Sequence, residues 1–211
     1  MVGYLAYLGL LILLSWAAPR LVCDQFLTLC PAPGPAVVCW REGRKLTWGD
    51  FQAKQLPNVS AVDTSLGCAI LANTATEAVV YDRTINGAYI KTVVRVEFYP
   101  DSSWVSPAKN YDRAAALAHE QLHFDITELT GRKIRRVLAR CAAQHVNARV
   151  PAVTQKIASL YAEEARVQAR YDREAGLIQA QAQAHWKALI RKELDALRAY
   201  KSTPADCIMP D

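Results

Sequence analysis

The apolar and polar positions of this chain change rhythm twice. Met1 to Pro19 carries no charged side chain, and Leu5–Leu14 is almost wholly apolar. From Asp24 to Arg44 no period holds. Pro31, Pro33, Gly34 and Pro35 crowd together there, which predicts an irregular arm rather than a packed element. Leu46–Phe51 reads as a short strand entering a turn or short helix, and Ser60–Leu71, rich in small residues, as extended chain. Glu77–Asp82 and Ala88–Tyr99 are the best strands. In the second, Ile90, Thr92, Val94, Val96 and Phe98 alternate with Tyr89, Lys91, Val93, Arg95, Glu97 and Tyr99. Asn86-Gly87 is a turn signal between them, so a hairpin is predicted.

The second change comes after Pro107, where the period becomes helical. Ala115, Ala118, Leu122, Ile126 and Leu129 form an apolar stripe, predicting a helix over Asp112–Ala142. Asn147–Pro151 breaks it. A further helical stretch, Val153–Tyr200, has Gly176 as a kink or interruption and no sustained heptad. Its wealth of Ala, Gln and Arg also suits a coiled-coil arm. The pattern as a whole predicts an α+β fold, a small antiparallel sheet followed by long helices. The expected plan is a leader over 1–18, an arm over 19–44, the main domain over 45–200 and a tail over 201–211.

Composition narrows the classes. The chain has 211 residues, 52% of them apolar, which is enough for a core, and a net charge of only +5. The basic residues are scattered apart from Arg132-Lys133 and Arg135-Arg136, which punctuate a helix, so nucleic acid is not an expected partner. Ser15-Trp16-Ala17-Ala18 offers small residues where a signal peptidase cuts, predicting export to the periplasm or beyond. The same uncharged stretch is long enough to remain as an N-terminal anchor, the one membrane contact expected. Leu21-Val22-Cys23 is a poor lipoprotein site, because Val22 stands where a small residue is needed. Cys23, Cys30, Cys39, Cys68, Cys141 and Cys207 all follow the leader, and an even number in an exported chain makes all six disulfide candidates. None forms a C-x-x-C pair. Bridges tying the arm and the tail to the body are the simplest expectation, with buried thiols as the alternative for one or two.

The candidate chemistry lies in His119-Glu120-Gln121-Leu122-His123. Residues four apart on a helix project about 40° from one another, so two imidazoles can hold one metal ion. Glu120 lies about 60° round from His123, close enough to take a proton from a metal-activated water. That pattern suits zinc-assisted hydrolysis. Both histidines fall on the edge of the apolar stripe, where a half-buried site is expected. A catalytic zinc needs a third protein ligand. On a straight helix Asp125 and Glu128 point away from the histidine face, and His145 lies roughly 30 Å or more along the axis. His185, Glu163, Glu164, Asp172 and Glu174 remain, all on the second helical stretch. If that stretch folds back after Pro151, Tyr171–Glu174 returns to the level of the histidines. Asp172 and Glu174 lie about 200° apart on a helix, so only one can face the metal. Asp172, the shorter, suits a closely packed helix, with Glu174 as the alternative.

These motifs resemble a family of exported bacterial proteins of unknown function regarded as predicted zinc-dependent proteases. The matching pieces are Leu46-Thr47-Trp48-Gly49-Asp50-Phe51, Ser103-Trp104-Val105, His119-Glu120-Gln121-Leu122-His123-Phe124-Asp125-Ile126, and Tyr171-Asp172-Arg173-Glu174 with Gln183 and Trp186. The resemblance spans roughly Lys45 to Leu197. It implies a zincin-like fold, a sheet packed on the active-site helix with a second helical element completing the site, and a functional Tyr171–Glu174 block. The family follows that block with Thr, a polar residue and His-Gly, where this chain has Ala175, Gly176 and Leu177.

The combined expectation is an exported zinc hydrolase acting on peptides or proteins of the cell envelope. His119, His123 and Asp172 (or Glu174) hold Zn2+, Glu120 is the general base, and Tyr171 donates to the oxyanion. The substrate adds to the open sheet edge. Trp48 and Trp104 are expected in the core. The rival expectation is a non-catalytic, disulfide-stabilised envelope protein that retains a closed metal site with four protein ligands.

Overall fold

Asp112 starts the longest element. Its carboxylate accepts hydrogen bonds from the Ala114 and Ala115 amides, capping helix α1, Arg113–Ala143. The computed structural model describes residues 37–55, 70–71, 74–82, 90–105, 111–144, 151–176 and 179–207. The stretches expected as a leader and as the Asn86-Gly87 turn, with most of Ser60–Leu71, lie outside the described residues. No helix among the described residues is long and apolar enough to cross a membrane.

The expected stripe is only part of what α1 buries. Ala118 is exposed and Ala115 half-buried, but from His119 to Arg132 almost every side chain is covered. The helix runs between three apolar clusters. Leu122, Ile126 and Leu129 meet Tyr171, Ala175, Trp186, Ile190 and Leu197. Ile134, Leu138 and Cys141 meet Val94, Val153 and Leu160. Phe124 meets Phe98, Val96, Trp40, Leu46 and Phe51. Polar groups on a helix covered on all sides need partners inside the protein. Gln121 accepts from the Leu46 amide at 2.8 Å, and Asp125 from Trp40 Nε1 at 2.9 Å.

The molecule is α+β, as the pattern indicates. Strand β3, Thr74–Asp82, pairs antiparallel with β4, Ile90–Phe98, in register from Thr74↔Phe98 to Asp82↔Ile90. Two short strands add to the sequence reading. Val38–Cys39, inside the expected irregular arm, forms β1 and extends the sheet beside Phe98 and Glu97 in the order β1-β4-β3. Val38 and Trp40 accordingly pack with the body, ahead of Lys45. Ile70–Leu71, β2, pairs with Trp104–Val105, β5, as a separate two-stranded ladder. Leu46–Phe51 enters a 3-10 turn at Trp48–Asp50 and contributes no strand. Gly131 lets α1 lie against the sheet, because a Cβ there would stand 2.5 Å from Val96 Cγ2.

The second helical stretch is two helices rather than one arm. Helix α2 spans Pro151–Ala175 and α3 spans Ala180–Ala196. Gly176, at φ +44°, takes the left-handed conformation that ends α2, and its amide bonds to the Asp172 carbonyl. Both helices fold back on α1.

The tail is built into the body. Buried Glu128 accepts from Arg132 Nε at 2.7 Å, and from the Ser202 amide and hydroxyl at 3.0 and 2.6 Å. Arg132 also donates to the Leu194 carbonyl at 2.6 Å, and Arg135 to the Tyr200 and Val94 carbonyls at 3.0 and 2.7 Å. The basic cluster therefore clamps the tail, and two of its arginines do more than punctuate a helix. The Cys39 and Cys207 sulfurs lie at disulfide distance, with Cα atoms 6.1 Å apart. Cys141 takes the buried-thiol alternative expected for one or two of the six candidates. It is a free thiol packed in the Ile134–Val153 cluster, where α1 turns it inward among apolar side chains. Cys23, Cys30 and Cys68 lie outside the described residues.

Candidate metal centre

α1 and α2 pack so that one carboxylate meets two imidazoles. Asp172 Oδ1 lies 2.8 Å from His123 Nε2 and 3.2 Å from His119 Nε2, and the two Nε2 atoms are 3.0 Å apart. Zinc bonds of about 2.0–2.1 Å in a tetrahedron set neighbouring donors about 3.3 Å apart. The three atoms therefore form nearly one face of such a tetrahedron. This His119–His123–Asp172 group could hold a metal ion. His119 is buried, His123 half-buried, and the Asp172 side chain 57% exposed, so the group opens outward on the α2 side.

Each imidazole is held from behind. His123 Nδ1 donates to Gln168 Oε1 at 2.6 Å, which turns Nε2 toward Asp172 and makes it the nitrogen that a metal would take. Gln168 Nε2 donates to the His123 carbonyl and to Thr127 Oγ1, at 3.1 and 3.2 Å. Gln183 meets His119 Nδ1 at 2.8 Å. Tyr171 stacks on His119, with ring centres 4.5 Å apart and planes 20° from parallel, and stands edge-on to His123 at 5.0 Å.

The acidic groups around His123 favour its charged form. Burial works against a charged His123. The Asp172 hydrogen bond and the Glu120 charge prevail over it, and the imidazole is raised to about 9. Desolvation likewise opposes ionisation of Asp172, but its bonds to His119 and His123 hold its carboxyl well below the usual carboxylate range. Glu120 is 4% exposed, and its charge acts on both His123 and Tyr171. Two imidazole nitrogens and one carboxylate oxygen are a donor set for divalent transition metals, Zn2+ and Fe2+ among them.

The other candidates go elsewhere. Glu174 bonds to Trp186 Nε1 at 3.2 Å and pairs with Arg170 at 3.4 Å. Glu163 is taken by Lys133 at 2.7 Å. Glu164 is held by Thr127, Thr130 and Gln168. His185 is exposed on α3, and His145 lies outside the described residues. Tyr171 requires a correction as oxyanion donor. It is 0% exposed, and its hydroxyl donates to Gln183 Oε1. Gln183 meets His119 at Nδ1, the ring edge turned from Asp172, so Tyr171 is a wall of the site and its hydroxyl faces the back. Trp48 is half-buried against Phe51 and under the Arg113 guanidinium, at the margin of the core.

The sequence reading missed Gln168 and the part played by Thr127. The available signal was helical spacing. Gln168 stands four residues before Asp172 and so shares its face of α2. No protein-family model matches the chain, and no curated protein or solved structure matches it.

Proposed function

We propose that the chain is an exported zinc-dependent hydrolase, most specifically a peptidase, with a zincin-like arrangement of sheet and HExxH helix. The observation that carries this reading is the convergence of His119 Nε2, His123 Nε2 and Asp172 Oδ1 beside buried Glu120. Three protein donors are the number that catalytic zinc sites use. A bound zinc would supply a Lewis acid and a water that ionises near neutral pH. The chain's own residues would do the rest. Glu120 accepts a proton as the water oxygen bonds to the scissile carbonyl carbon. It then returns that proton to the departing amine nitrogen as the C–N bond breaks. Gln168 and Gln183 hold the imidazoles, and Tyr171 closes the site behind His119. Strand β3 has a partner on one side only among the described residues, so an extended peptide could pair along its other edge. The Cys39–Cys207 pair favours an oxidising compartment, the periplasm or the exterior.

The test separates binding from chemistry. Glu120→Gln keeps the side chain's shape but accepts no proton. It should retain the metal while peptide hydrolysis falls by about 10²–10⁴-fold. Loss of metal from that variant would make Glu120 a ligand and remove the mechanism.

A further inference from the structure

Two glutamines stand behind the imidazole pair, and each is oriented by a main-chain carbonyl. A carbonyl oxygen only accepts hydrogen bonds, so the amide nitrogen must face it. The His123 carbonyl sets Gln168 this way, leaving Gln168 Oε1 to face His123 Nδ1. A proton therefore sits on Nδ1, where a ligating imidazole carries it, and Nε2 is the atom turned to Asp172. Gln183 is set the opposite way. Its Nε2 donates to the Gly176 carbonyl and its Oε1 accepts from Tyr171, so the same NH2 group meets His119 Nδ1 at 2.8 Å. Nδ1 must therefore accept, and the His119 proton belongs on Nε2, where Asp172 Oδ1 lies 3.2 Å away.

A ligating His119 needs the reverse, with the proton on Nδ1 and an acceptor in front of it. Gln183 can offer its oxygen only by turning its carboxamide over. That removes the donor from the Gly176 carbonyl and sets oxygen against oxygen. Tyr171 does not resist, since a phenol accepts as well as it donates. Gly176 is the left-handed residue that ends α2, one turn beyond Asp172.

We propose that Gln183 is a positioning residue that couples metal binding at His119 to Gly176, the residue that ends α2. It bonds either the Gly176 carbonyl or the ligating tautomer of His119, but not both. The coupling rests on the metal-site reading above and adds a specific partner to it. The full chain labelled with nitrogen-15 tests it. After chelation, His119 should carry its proton on Nε2. On addition of zinc the proton should appear on Nδ1, and the Gly176 amide resonance should shift with the same titration curve. A carboxylate accepts from Nδ1 without turning, so Gln183→Glu should bind zinc about tenfold tighter by chelator competition, with a smaller Gly176 response. A His119 proton already on Nδ1 in the chelated protein, or a Gln183→Glu variant that binds no tighter, overturns the coupling while leaving the metal site standing. Failure of the wild type to take up zinc is a separate result and removes the site and the coupling together.

Discussion

At the scale of single residues, the groups around His123 form a graded polar chain through a helix interface. His123 leans on Gln168, and Gln168 shares Thr127 with Glu164. Burial, the largest influence on Glu164, lifts its carboxyl to about 7 against an ordinary 4.5, even though Thr127, Thr130 and Gln168 favour the charged form. The sign follows from proton binding. The folded state binds the proton more tightly, so this group's contribution is full below about 4.5 and is lost as pH rises through about 7. Glu164→Gln removes the charge and its cost. It should stabilise the protein by about 1–2 kcal/mol at pH 8 after solvent screening, and by almost nothing at pH 4. Paired thermal melts at the two pH values check this, and equal shifts at both would contradict it. The histidine pair was legible in the sequence because i, i+4 spacing fixes geometry within one helix. Asp172 was legible through chain length beyond the break and helical phase. The Tyr171 hydroxyl was not, because its direction depends on Gln183, which arrives on a different helix.

At the scale of elements, α1 is the axis on which the rest is packed. A 31-residue helix measures about 46 Å, long enough to touch the sheet, both later helices and the tail. It lies close against the sheet at Gly131. An alanine there would place Cβ 2.5 Å from Val96 Cγ2, nearer than real Cβ contacts allow. Gly131→Ala should cost about 1–3 kcal/mol by overpacking, despite alanine's better helix propensity. Adding Val96→Ala should recover part of that loss, and a double-mutant cycle by urea denaturation measures the coupling. Additive effects would mean that the contact is not what limits the packing. The hairpin strands and α1 could be read from periods of two and 3.6, which are local properties. β1 could not, because two residues carry no period and the strand exists only through pairing with β4. The split of the last helical stretch was signalled by Gly176 alone, and the clamp of Glu128, Arg132 and Arg135 onto Ser202, Leu194 and Tyr200 depends on contacts more than sixty residues apart in sequence.

At the scale of the whole molecule, the two ends of the compact body are joined. Cys39 and Cys207 are separated by 168 residues, and closing so long a loop restricts the unfolded chain strongly. Cys39→Ser should lower stability by about 2–5 kcal/mol, and reduction of the wild type should bring the two melting curves together. A variant that melts with the oxidised wild type would show that the Glu128 clamp alone holds the tail. Under the proposed reading, the metal site is what joins fold to function. Protein purified from a periplasmic expression host and analysed for elements tests that most directly. The account predicts about one zinc per chain in the wild type and in Glu120→Gln, and loss of zinc in His119→Ala, His123→Ala and Asp172→Ala. A well-folded wild type that holds no zinc and takes up none on addition would contradict it.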